Sequence, residues 1–123
     1  MLNMKTQNTI LDMTFDFSLQ IIQLYKMLVE QKEYVLSKQL LRCATSIGAN
    51  VEEANAGQSR KDFIAKMSIA SKEARETKYW LRLLDKSQIV NHDFTPFLTA
   101  IEHIINIITK IVKTSQEVNT TPA

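Results

Sequence analysis

The residues best suited to chemistry lie between Ser59 and Gln88, where eight basic side chains stand against four acidic ones, a local +4. On a helical wheel Lys61, Lys72, Arg75, Tyr79, Arg82 and Lys86 share one stripe, completed by the small residues Ala65 and Ser68. At 1.5 Å per residue the stripe is about 37 Å long. Spaced cations suit a phosphate backbone, because each neutralised phosphate releases condensed counterions. The embedded Tyr79 offers a face on which a base or sugar can stack. These six residues form the candidate nucleic-acid-binding site, with RNA or DNA as partner. The competing reading is a solvated face: an amphipathic helix must turn something polar outward, and Lys72–Glu76 is an ordinary i,i+4 pair.

Other constellations fail on spacing. A di-iron bundle needs inward Glu-x-x-His pairs, and the residues three before His92 and His103 are Ile89 and Ala100. His103 shares the polar side of its helix with Thr99, Asn106 and Lys110, which reads as a solvated histidine, and His92 falls in a loop. The Arg-x4–6-His motif of some helical ribonuclease toxins is missing, since Arg82 stands too far before His92. Cys43 has Arg42 beside it but no histidine at helical spacing, and a nucleophile needs a base within reach. The two glycines, Gly48 and Gly57, cannot build a phosphate loop. The sequence therefore offers no catalytic residue and implies no metal or cofactor, so a non-enzymatic protein is expected.

The elements that position the stripe follow from period and punctuation. The chain has 123 residues, of which 45% are hydrophobic and 23% charged, with net charge +2, two Gly, two Pro and one Cys. So few turn formers exclude collagen-like and turn-rich all-β architectures, and one cysteine excludes a disulfide framework. Apolar runs of two to three residues predict no membrane span, and MLNMKTQNTILDM lacks the apolar core of a signal peptide. A single cytoplasmic domain without membrane contact is expected. Breaks fall at Gln31-Lys32-Glu33, Gly57-Gln58-Ser59 and Asn91-His92-Asp93. Between them the apolar period is helical, predicting helices over about 12–30, 34–56, 59–87 and 95–117, then a frayed tail over 118–123. Asp12 or Thr9 would cap the first helix. Gly57 would close the second in a left-handed conformation. Ser59-Arg60-Lys61-Asp62 has capping-box spacing, and Thr95-Pro96 would open the fourth helix. Four long helices on short connections predict an all-α, up-down-up-down bundle, and their a/d-like spacing favours left-handed crossing.

Two features exceed what a lone bundle needs. Phe15, Leu19, Ile22 and Val29 lie opposite the core stripe of the first helix, and Trp80 flanks that of the third. A second apolar side predicts an oligomer interface, with closed symmetry as the default. On the second helix Cys43, Ser46, Asn50, Glu53 and Gly57 make a small, polar stripe. If another helix approaches there, Asn50 and Glu53 need partners, for which Arg75 or Lys78 are the expectation. The same stripe also fits an exposed polar edge.

Three segments carry a family resemblance: Ser46-Ile47-Gly48-Ala49-Asn50-Val51-Glu52-Glu53-Ala54, Ser59 through Lys66, and Lys72 through Leu81. Over roughly residues 15 to 115 the chain resembles the bacterial four-helix-bundle proteins of the 23S rRNA intervening-sequence family. It departs at Glu53-Ala54, where many members read Glu-Gly, and matches the subgroup reading N-V-E-E-A. The resemblance implies a left-handed up-and-down bundle assembled as a ring-shaped homopentamer, with no enzymatic activity. A related accessory protein of diversity-generating retroelements uses such a pentamer to bind nucleic acid and a reverse transcriptase. Hence the expected partners are further copies of this chain, RNA or DNA, or a protein docked on the ring. Asn50, Glu53, Phe63, Glu73, Tyr79 and Leu81 match the family signature, and the resemblance gives them a structural role.

Overall fold

Seven residues of the third helix, Phe63, Met67, Ala70, Ala74, Thr77, Leu81 and Leu84, are buried at alternating steps of four and three. That spacing keeps one seam turned inward over about six turns. The computed structural model describes residues 4–120, with side chains described over 9–117, and places four helices: α1 (Met4–Glu30), α2 (Leu36–Asn55), α3 (Arg60–Ser87) and α4 (Thr95–Thr120). Each consecutive pair packs together, and α1 closes against α4. Glu53 meets Lys66 while Arg42 meets Glu76, so α2 and α3 run antiparallel. Lys78 to Glu102 and Arg75 to Thr109 give the same sense to α3 and α4.

The core is mostly aliphatic. Phe17, Ile21, Leu24 and Leu28 of α1 meet Leu40, Ala44, Ile47 and Val51 of α2 and Ile101, Ile104, Ile105 and Ile108 of α4. By length and composition Thr95–Glu117 of α4 is apolar enough to cross a membrane, at mean hydropathy 1.2. Five of its six isoleucines, Ile101, Ile104, Ile105, Ile108 and Ile111, are buried in the bundle. Gly48 is set by close approach: a Cβ there would lie 3.4 Å from the Thr14 carbonyl oxygen, so α1 and α2 meet nearly backbone to backbone.

The ends depart from expectation in four places. α1 starts at Met4 rather than near Asp12, leaving Thr9 and Asp12 inside the helix. Nothing before Asp12 breaks a helix, and Ile10, 2% exposed, adds a turn to the core. α4 runs to Thr120, so only 121–123 of the expected tail fall outside the described residues. Gly57 is not left-handed; Lys32 (φ 66°) and Gln88 (φ 47°) are, and Gln88 donates its N–H to the Leu84 carbonyl at 3.2 Å. Gly57 is instead tight for space, since a Cβ would come 3.1 Å from the Ala54 carbonyl oxygen. Finally, α4 is entered through Phe94, whose carbonyl accepts from Phe97 and Leu98 at 3.1 and 3.0 Å, one residue before the expected cap Thr95. The wholly buried Phe94 ring anchors that entry. The Ser59 cap stands as its spacing predicts, its hydroxyl accepting from the Asp62 N–H at 3.1 Å.

Glu33 is a cap that the sequence did not announce. Its carboxylate accepts from the backbone N–H groups of Val35, Leu36 and Ser37 at 3.2, 2.9 and 2.6 Å, satisfying the open donors of α2. Burial pushes the Glu33 carboxyl up, but the bonds from Leu36, Ser37 and Val35 outweigh it and hold the group below its ordinary value.

Candidate nucleic-acid interface

All six residues of the candidate stripe are exposed on the outer side of α3, the face opposite its buried seam. Lys61 stands in the first turn, Lys72 to Arg82 in the middle and Lys86 in the last turn. Arg75 extends a nitrogen to the Thr109 hydroxyl on α4 at 3.3 Å. None of the five cations has an acidic partner within ion-pair distance among the described residues.

The acids of α3 explain why. Glu76 does not pair with Lys72 along the helix; it turns to α2, where Arg42 binds it and the Trp80 indole N–H donates to it at 3.0 Å. Arg42 also lies 3.6 Å from Glu73, whose side chain is half-buried. One guanidinium on the neighbouring helix therefore draws two carboxylates to the α2–α3 flank. The outer face is left with a single sign of charge. Tyr79, 52% exposed, rests edge-to-face on Trp80 with centroids 5.3 Å apart and planes at 71°.

The other candidate residues sort differently. Phe63 is core. Glu53 is exposed and pairs with Lys66 at 3.2 Å, not with Arg75 or Lys78 as expected. Antiparallel packing places the end of α2 beside the start of α3, while Arg75 and Lys78 reach α4. Asn50, half-buried, donates to the Ser46 carbonyl and hydroxyl at 2.9 and 3.1 Å, and so is satisfied within its own helix. Phe15, Leu19 and Ile22 are 59%, 49% and 37% exposed. With Thr45, Gly48 and Ala49 they line a groove of about 370 Å³ between α1 and α2. Val29 is half-buried. Trp80 is less available than its spacing suggested, being packed against the core. His92 and His103 are exposed, whereas Cys43 is wholly buried beside Thr77.

Residues 6–110 match the 23S rRNA-intervening sequence protein family. The chain belongs to that family. Among solved structures it is similar to a protein of unknown function from the S23 ribosomal protein family of Bacteroides thetaiotaomicron VPI-5482. The two share 45% identity and superpose with a TM-score of 0.83, over 88% of this chain and 98% of the other. No functionally curated protein matches the chain. Sequence reasoning had the stripe of this family member but missed Arg42 and Glu76, the residues that make it one-signed. A basic residue on α2 facing two acids across an antiparallel seam was the available signal, legible only with the register in hand.

Proposed function

We propose that this protein is a non-enzymatic, cytoplasmic nucleic-acid-binding protein that grips structured RNA or DNA through the outer face of α3. In this reading left-handed up-down-up-down bundles assemble, through Phe15, Leu19, Ile22, Val29 and the Trp80 flank, into a ring-shaped homopentamer. The observation that carries the reading is the row of five exposed cations without acidic partners among the described residues, its neighbouring carboxylates drawn aside by Arg42. Family membership adds support, since the family name ties such proteins to 23S rRNA insertions. Five copies at +2 each carry about +10, a field that steers polyanions at moderate salt.

Affinity for a hairpin RNA should fall steeply with salt, and Lys72→Glu with Arg82→Glu should flatten the slope by about two units of log K per log salt. Absence of a mobility shift at low salt, for RNA and DNA alike, overturns the reading. A second reading, a scaffold that docks a protein, is favoured by the exposed apolar groove on α1. A partner retained by the tagged protein after nuclease digestion decides for the scaffold.

A further inference from the structure

We propose that the α3 face selects unpaired nucleotides over continuous duplex, with Tyr79 as the platform on which one base stacks. This rests on the nucleic-acid reading above and specifies its ligand. Lys72, Arg75, Tyr79, Arg82 and Lys86 follow one another at steps of three and four. The ring therefore lies mid-row, about 6 Å along the axis from Arg75 and about 4.5 Å from Arg82. Lys72 and Lys86 stand about 10.5 Å away on either side.

The ring is also braced. Trp80 supports it edge-to-face, Glu76 fixes the Trp80 N–H, and Arg42 fixes Glu76. An exposed aromatic held this way loses little freedom when a flat ligand covers it. Duplex nucleic acid hides its base faces and presents phosphates and groove edges, so against it only the cations would act. An unpaired strand offers base faces that stack on aromatic side chains. Arg75 and Arg82 are then placed to hold the phosphates on either side of the stacked base.

The test measures fluorescence anisotropy of the full chain with oligo(rU) and oligo(dT) of about 12 nucleotides, within the usual range of single-strand site sizes. A blunt RNA duplex of equal length is measured at the same salt. Wild type should bind the single strands more tightly than the duplex. Tyr79→Leu, which keeps apolar bulk, should weaken single-strand binding roughly 5- to 100-fold. It should leave duplex affinity and the salt slope in place, and Tyr79→Phe should retain wild-type behaviour. Emission from Trp80, the only tryptophan in the chain, should change with oligo(rU) and not with duplex. Equal binding of both forms, unmoved by Tyr79→Leu, overturns this inference and leaves cation-driven binding standing. If neither form binds at low salt, the nucleic-acid reading fails and this inference with it.

Discussion

The outer faces of α3 and α1 are both open to solvent and are built in opposite ways. On α3 the exposed row is Lys72, Arg75, Tyr79, Arg82 and Lys86; on α1 it includes Phe15, Leu19 and Ile22. Each helix also supplies a complete inward seam, so neither outer face is needed to close the monomer's core. Water solvates the first face without cost. The second face gains when covered, by up to about 1.5–3 kcal/mol for each large side chain fully buried. Two exposed surfaces of one small bundle thus point to two kinds of contact: a polyanion on α3 and apolar protein surface on α1.

Three changes would break or sharpen that contrast. Phe15→Lys with Ile22→Lys should convert an oligomer into a soluble monomer with unchanged helicity, read by sedimentation and circular dichroism. The charge reversals at Lys72 and Arg82 should leave sedimentation untouched. A wild type that already sediments as a monomer removes the α1 half of the comparison. Next in size is Glu33→Gln, which tests whether the end of the bundle stands apart from both faces. It should lower stability at pH 7 by about 1–3 kcal/mol, because bonds to a charged acceptor are lost. The folded group titrates below its ordinary value of 4.5. Its stabilisation is therefore present above that value and lost as pH falls through the folded value. Wild type and variant should converge in urea titrations on the acid side of that range, and a gap unchanged with pH would remove the charge from the account. Smallest is Arg42→Ala, worth at most about 1 kcal/mol of stability for a half-exposed ion pair. It also releases Glu73 and Glu76 beside the cation row, so RNA affinity at low salt should fall several-fold. If affinity holds, the drawing aside of acids is incidental to binding.

Much of this was legible because helical period is a strong signal. The α3 seam from Phe63 to Leu84 was readable residue by residue, and so was the exposed stripe behind it. Ends were harder, since they depend on contacts distant in sequence. Ile10 extends α1 only because the other helices leave it a place in the core. Glu33 reads as a polar interruption until the chain folds back and aims its carboxylate at three N–H groups. Lys32 and Gln88 take the left-handed conformations assigned by habit to glycine. The partners of Glu53 were mispaired for a similar reason: wheel positions give the face, and only antiparallel register gives the height. Arg42 combined both difficulties, and it is the residue on which the charge of the outer face turns.

Cys43 gives the α2–α3 seam a built-in clock. Its thiol is wholly buried, and burial is the main cause that pushes its pKa up, so in the closed bundle it is slow to form a thiolate. It is also the chain's single cysteine. A thiol reagent therefore reaches this protein's cysteine only when the two helices separate, and at reagent concentrations where labelling outruns reclosing the modification rate equals the opening rate. Because Arg42 precedes this sulfur and Thr77 touches it, whatever loosens the clasp that shapes the charged face would be heard first as a faster tick at Cys43.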